Sequence, residues 1–336
     1  MATVVPTRTT DLTANMQKYY DKVLLDVLRK SMQYYDVTTK KRVPLNSGKV
    51  IYFIRYTAFG ANTTALSEGV VPDSVKMSST NVSATLSSWG GYVTIPDLLS
   101  RTAIDNTLKS ATAELGYRAG LTLDTLIRNE CTLHGTVQPP ATATEMSTTN
   151  DLSVSKILSG LVATNTLSSG VIKKAVRTLK AADVPPHSRG DYVAIIHPYV
   201  AYDIMGETST GGFLDINKYT TAVPLYSGEI GKMYGVRFIE SSNVRSHTST
   251  TDSYFSASMS GSAVTCYRNQ VFGADAVGAV QLAGMGKPRT LVKGFGSAGS
   301  SDPLDQLQTV GYKIEGFVAK TLQDTRFINL VTSATA

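Results

Sequence analysis

Between Asp97 and His134 apolar residues recur every three or four positions, at Ile104, Leu108, Ala111, Leu115, Ala119, Leu123 and Ile127. That spacing predicts one amphipathic helix, opened by Pro96-Asp97. If continuous, its ~37 residues would span ~55 Å at 1.5 Å per residue. An element of that length suits a spine laid across a broad, flat subunit. Gly116 and Gly120 mark a bend in it or a close contact.

The chain before this helix reads as extended. From Lys49 to Phe59, Val50, Tyr52, Ile54 and Tyr56 alternate with Ile51, Phe53 and Arg55, the two-residue period of a strand. A polar stretch, Gly60 to Gly69, separates it from a second extended run, Val75 to Ile95. Two long strands joined by a Gly-containing bend predict an extended hairpin. Trp89, the single tryptophan, precedes Gly90-Gly91, where the ladder is expected to kink or bulge. Further upstream, residues 1–10 are polar, and Asp11 caps a predicted helix to about Tyr35 carrying Leu12, Met16, Tyr19, Val23 and Val27.

After the long helix, Gln138–Asn150 reads as a surface excursion. Residues 153–182 read as two helices broken at Ser168-Ser169-Gly170 and stopped by Pro185-Pro186. Asp191–Pro198 is an apolar strand leading into a short helix, Tyr199–Gly206. Met233–Glu240 reads as a strand and Ser241–Ser253 as a loop. Gly311–Lys320 and Thr325–Val331 read as a strand pair with a short turn. Such mixed order predicts an α+β fold, and no internal repeat of 20–50 residues is visible.

Function classes narrow by what is missing. No apolar window is long enough to cross a membrane, and the first twenty residues lack the layout of a secretory signal. Two cysteines, Cys131 and Cys266, give no disulfide framework, as expected for a chain made in a reducing cytosol. The net charge of +6 is unevenly placed: residues 1–60 hold ten Lys/Arg and four Asp/Glu, leaving 22 of each in the remainder. That basic excess reads either as solvated surface or as a segment meeting a polyanion or an acidic neighbour.

Enzymatic signatures fail one by one. Gly294-Phe-Gly296-Ser-Ala-Gly299 fits the glycine spacing of a dinucleotide-binding turn, with Glu315 about twenty residues on. That chemistry needs a helix opening at the last glycine, and Ser300-Ser-Asp-Pro303 follows instead. Cys131 and His134 stand within reach on a helix, but neither an orienting third group nor an oxyanion site accompanies them. His187, His197 and His247 are isolated, and no zinc motif or Walker-type loop occurs. Asp302-Pro-Leu-Asp305 reads as a turn with an Asx cap. No catalytic, cofactor-binding or metal-binding residue is therefore assigned.

Four stretches together resemble the tailed-phage major capsid proteins, in particular the branch of the coliphage N-four capsid protein. They are Val43–Gly48 with Val50–Tyr56 and Leu66–Gly69, then Trp89–Asp97 running into the long helix, Tyr192–Tyr199, and Gly299–Lys313. The resemblance covers most of residues 43–320. It implies an α+β tailed-phage major capsid fold: an N-terminal arm (1–47), an extended β-hairpin loop (48–96), a peripheral domain with the spine helix (97–188 and 306–336) and an axial domain (189–305).

The resemblance further implies a structural protein, not an enzyme, that self-assembles into pentamers and hexamers of an icosahedral shell around double-stranded DNA. The shell would be assembled in the cytoplasm of a host bacterium and would form the capsid of the virion. The first helix begins near Asp11, so a separate scaffolding protein is expected; portal and decoration proteins are further implied partners, and no membrane is. No lysine–asparagine crosslink between subunits is expected. Lys40, Lys41, Arg42, Arg55, Glu68 and Trp89 are the expected subunit-interface residues. An encapsulin-type compartment and a nucleotide-dependent enzyme are the alternative readings.

Overall fold

The structure is a computed structural model. It describes residues 32–46, 48–57, 59–65, 68–69, 71, 74–103, 106–138, 164–187, 190–207, 229–247, 265–284, 287–297 and 302–335. The predicted helix from Asp11 lies outside these residues except at its end, where α1 (Tyr34–Val37) forms. The expected excursion 138–150 likewise lies outside them, Gln138 excepted.

Four strands follow: β1 (Thr39–Val43), β2 (Val50–Tyr56), β3 (Ser79–Thr85) and β4 (Ser87–Pro96). β2 and β3 pair antiparallel, Val50 opposite Thr85 through Tyr56 opposite Ser79. The second extended run does not stay in this hairpin. It divides at Leu86, and β4 leaves to pair with a strand more than two hundred residues away. The hairpin is therefore shorter than the sequence suggests.

The long helix is also divided. α2 (Asp97–Thr102) ends at Ala103, whose backbone is extended, and α3 (Thr107–Leu133) begins at the N-cap Asn106, whose side chain accepts from the Lys109 amide. At 27 residues, α3 is about 40 Å long. Gly116 and Gly120 lie on its buried face. Beyond it come β5 (Thr136–Gln138), α4 (Ser169–Ala181), β6 (Tyr192–Ile196) and α5 (Pro198–Met205). The expected strand 233–240 is two strands, β7 (Glu229–Met233) and β8 (Val236–Glu240), turned at Tyr234-Gly235 with both residues at positive φ. β9 (Arg245–His247) occupies part of a stretch expected to be loop. β10 (Cys266–Phe272), β11 (Val277–Leu282), β12 (Arg289–Lys293), β13 (Leu307–Thr321) and β14 (Phe327–Ser333) complete the described elements.

These strands form two large sheets besides the hairpin. One has the order β1-β11-β13-β12, with β4 also on β13; the other runs β5-β14-β10-β6-β8-β7, with β9 on β10. β13 and β14 therefore belong to different sheets rather than to one hairpin. The irregularity expected at Gly90-Gly91 is on the facing strand. Opposite Ser87–Trp89, β13 carries one extra residue between Ile314 and Phe317, and Gly316 there adopts φ +64°. A glycine at positive φ is what such a bulge requires.

Burial explains the layers. Leu115, Ala119, Leu123, Ile127 and Cys131 repeat every fourth residue along α3, giving one apolar stripe. The stripe packs both on Val193, Ile195, Phe272 and Phe327 of the second sheet and on Val310, Tyr312, Ile314 and Phe317 of the first. α3 is thus a spine shared by both sheets. Along β6 the alternate residues Tyr192, Ala194 and Ile196 face the other way, onto α4 and α5. With both faces covered, β6 reads as an unbroken apolar run. A third cluster, Val43, Leu86 and Val280 with Ile51, Phe53 and Leu282, seats the root of the hairpin on the first sheet.

Candidate subunit interface

The hairpin β2–β3 has one covered face and one bare one. Ile51 and Phe53 turn onto the first sheet. Val50, Tyr52, Ile54 and Tyr56 point away, 43–59% exposed. The β3 residues paired with them, Thr85, Ser83, Asn81 and Ser79, are all polar. The bare face is therefore one row of large apolar side chains beside one polar row. Phe59, Val71, Val75 and Met77 extend the exposed apolar surface past the paired strands. A two-stranded ribbon is marginal by itself, and contiguous exposed apolar surface marks a place that another surface covers.

The basic cluster lies at the ribbon's root. β1 is the edge strand of the first sheet, parallel to β11, with Lys40, Lys41 and Arg42 exposed on it. Lys40 pairs with Asp36 at 3.4 Å and lies over the Tyr35 ring; Lys41 lies over the Phe53 ring, tying the edge to the ribbon. Arg55 is exposed on β2 and Glu68 beyond it, and among the described residues neither forms an ion pair. Trp89 is on β4, opposite Ile314 in the first sheet, so it is not part of the hairpin. The structure joins Lys41 to the ribbon through Phe53 and places Trp89 in the first sheet instead.

A feature not foreseen adjoins Trp89. β4, β12 and β13 enclose a groove of about 570 Å³, with Tyr92, Leu291 and Leu307 among its walls and Gly90, Gly91 and Gly311 among its lining. A Cβ on Gly90 would meet the Tyr312 carbonyl oxygen at 2.7 Å, and one on Gly311 would meet Tyr92 Cβ at 3.0 Å. The Gly90-Gly91 pair was the available signal, but its partner Gly311 is distant in sequence.

The groups that invite catalytic readings are committed elsewhere. Cys131 is fully buried, and desolvation pushes its thiol far above its ordinary range. His134 faces Glu130 at 3.4 Å and Asp324 at 3.7 Å on the surface. Asp191 and Glu229 are taken up by Arg237 at 3.0 and 2.7 Å. After β12, residues 294–297 make a turn, and no helix opens among the described residues up to β13. Residues 302–305 make a backbone turn, the Asp305 amide donating to the Asp302 carbonyl at 3.1 Å, while the Asp302 side chain accepts from the Leu307 amide at 2.7 Å, beyond the reach of the Asx cap expected there. Among the described residues no cluster of His, Cys, Asp and Glu could hold a metal ion, and no helix is long and apolar enough to cross a membrane.

A subunit whose conspicuous surface is a bare apolar ribbon, with Cys131 buried and His134, Asp191 and Glu229 facing ionic partners, belongs to the structural, assembling class. Residues 141–332, more than half of the chain, match the family described as phage capsid protein, and the chain belongs to that family. It is accordingly a structural capsid protein rather than an enzyme. Among solved structures the fold is similar to the capsid of Ralstonia phage GP4, with 14% identity, 92% of each chain covered and a TM-score of 0.68. It is also similar to the capsid of cyanophage P-SCSP1u, with 15% identity, 90% of this chain and 88% of that one covered, and a TM-score of 0.62. A virus-like particle from Pyrococcus furiosus shares the fold at 10% identity, covering 94% and 99% of the two chains, with a TM-score of 0.51. No curated protein matches the sequence significantly.

Proposed function

We propose that this chain is the major shell subunit of a tailed bacteriophage from the branch of the coliphage N-four capsid protein. Its copies would close as pentamers and hexamers into an icosahedral shell enclosing double-stranded DNA. The observation that carries the reading is the uncovered row Val50, Tyr52, Ile54 and Tyr56 on a ribbon standing on the first sheet. Laid on a neighbouring copy, each such side chain, about half of it still in water, contributes about 1–1.5 kcal/mol of burial. Closed symmetry repeats the contact around the shell.

In this reading residues 1–47 are an arm crossing to a neighbour and 48–96 the extended loop. Residues 97–188 and 306–336 form the peripheral domain and 189–305 the axial one. The pairing of β14 with β10 favours moving 327–333 to the axial sheet, and that of β11 with β13 favours moving 277–282 to the peripheral one. Assembly takes place in the host cytoplasm with a separate scaffolding protein and a portal, with decoration proteins as optional partners. Lys40, Lys41, Arg42, Arg55, Glu68 and Trp89 lie at subunit boundaries.

The test is sedimentation with negative-stain imaging of the full chain, expressed alone and with candidate scaffolds. Closed shells, or pentameric and hexameric rings, are expected. A stable monomer or dimer under every condition would overturn the reading. The likeness to the Pyrococcus furiosus particle supports a second reading, a protein-compartment shell, which shells packed with protein cargo would favour. Reversing the charge of Lys40, Lys41 and Arg42 together is expected to lower assembly yield. Unchanged yield and particle stability would remove these three from the boundary.

A further inference from the structure

The strongest concentration of unneutralised charge among the described helices is on α4. Its buried stripe, Val171, Ile172, Ala175, Val176 and Leu179, packs on the second sheet. Lys173, Lys174, Arg177 and Lys180 are all exposed, and residues 169–181 contain no Asp or Glu. At 100° per residue these four positions fall within about one third of the helix circumference and span about 10 Å of its length. Some surface cations sit on an acid, as in Lys40 with Asp36, Lys313 with Glu315 and Lys320 with Glu130, and others such as Arg55 and Lys109 do not; what sets α4 apart is four such cations on one flank. Among the described residues none of the four on α4 forms an ion pair, and Lys173 lies over the Tyr234 ring at 4.4 Å.

The fold itself does not ask for this. A cation complements the helix dipole only in the last turn, which accounts for Lys180 alone. At the other end Glu207 accepts from both the Ser169 amide and hydroxyl at 2.9 Å, so a carboxylate already sits at the N-terminus. What remains is a flank of four like charges without an anion.

Resting on the proposed shell reading, we infer that this flank of α4 is a surface the shell turns to its packaged DNA, where Lys173, Lys174, Arg177 and Lys180 contact backbone phosphates. A protein partner would need apolar or aromatic anchors at the centre of its contact. The exposed flank of α4 offers none, since no large apolar side chain of residues 169–181 is exposed. Phosphate contacts need only cations, carry no sequence information and weaken with salt through counterion release.

The experiment compares the wild-type chain with the fourfold variant Lys173→Gln, Lys174→Gln, Arg177→Gln, Lys180→Gln. Binding of unassembled subunits to a random-sequence duplex is measured between 50 and 200 mM salt. Each phosphate contact contributes about 0.9 to the slope of log affinity against log salt. Loss of four therefore lowers the slope by about 3 to 4, removing roughly a hundredfold of salt sensitivity over that range. A second duplex of unrelated sequence should give the same change. An unchanged slope overturns the inference, as does intact DNA binding with failure to recruit a scaffold, which would make the flank a protein-docking surface. Imaging of shells formed by both chains is the separate check on the underlying reading. Shells from both with an unchanged slope reject only the role of α4, whereas no shells from either reject the shell itself.

Discussion

Asp124 on α3 is the buried carboxylate with the largest consequence for the fold. It is fully buried, accepts from the Tyr34 amide at 2.7 Å and the Tyr35 amide at 3.4 Å, and takes a third bond from the Asn243 side chain at 2.9 Å. One carboxylate thereby pins α1 and the β8–β9 turn to the spine. The ionisable groups around it are Tyr34 on α1 and Arg128 and Cys131 on α3; Arg128 donates to Asn243 at 2.9 Å instead of pairing with Asp124. Desolvation raises the carboxyl to about 6, against the pull of those hydrogen bonds. The folded state therefore takes up this proton before the unfolded chain does. The resulting stabilisation is fully present below about pH 4 and disappears as pH rises through about 6. Its size is about 3 kcal/mol. Denaturant titrations of unassembled wild-type and Asp124→Asn subunits are expected to show their stability difference shifting by that order between pH 4 and pH 7. Parallel pH profiles would show that Asp124 does not carry the linkage. At Gly316, φ +64° and a Cβ position 2.9 Å from Leu282 Cβ leave no room for a side chain. Gly316→Val is expected to cost about 1–3 kcal/mol, read as a lower midpoint of thermal unfolding, and an unchanged midpoint would show that the bulge relaxes freely.

At the scale of elements, the ribbon β2–β3 separates stability from assembly. Replacing Tyr52 and Ile54 by Ser removes apolar surface that the isolated subunit leaves in water. Such exposed changes alter subunit stability within about 0.5 kcal/mol each. The shell would lose about 1–1.5 kcal/mol per site, since little more than half of each side chain is left for a neighbour to cover. Sedimentation is expected to show fewer or no shells from a subunit that unfolds normally; full assembly would mean that the row stays bare in the particle. The same ribbon shows what could be read in sequence. Alternation identified β2 and the i, i+4 stripe identified α3, because both are local patterns. Alternation could not show which face of β2 is bare, since both faces are apolar and only the third cluster decides. The departure of β4 at Leu86 was hidden because its partner, residues 307–317, is remote in sequence. The separation of β13 from β14 was hidden because the two follow one another as a hairpin's strands would, and only the short helical turn Asp324–Arg326 re-aims the chain between sheets. Of the expected interface residues, Lys40, Lys41 and Arg42 came from a visible charge run, whereas the groove beside Trp89 needs Gly90, Gly91 and Gly311 brought together in space.

For the whole molecule, α3 decides whether two sheets make one thermodynamic unit. Its stripe is shared: Leu115, Leu123 and Ile127 belong to a single cluster that includes Val193 and Phe272 from one sheet and Val310 and Phe317 from the other. Either sheet unfolding alone would bare half of that stripe to water, at about 25 cal/mol per Å² of apolar surface. Asp124 adds a polar tie, since Tyr34, held by its amide, donates through its hydroxyl to Gln270 on β10 at 2.7 Å, while the neighbouring Tyr35 hydroxyl accepts from Gln281 on β11 at 2.8 Å. The subunit is therefore expected to unfold as one unit. Trp89, the sole tryptophan, reports on the first sheet, so its fluorescence and the far-ultraviolet circular dichroism of the whole chain should trace coincident transitions in denaturant. Leu123→Ala, at the centre of the stripe, is expected to cost about 2–5 kcal/mol and to shift both curves together. If fluorescence and dichroism separate, in the wild type or in the variant, the sheets are independent domains that meet at the spine. Conformational change during shell assembly could then turn on α3 as a hinge; coincident curves leave the movable parts of the subunit at its edges, in the ribbon and at β1.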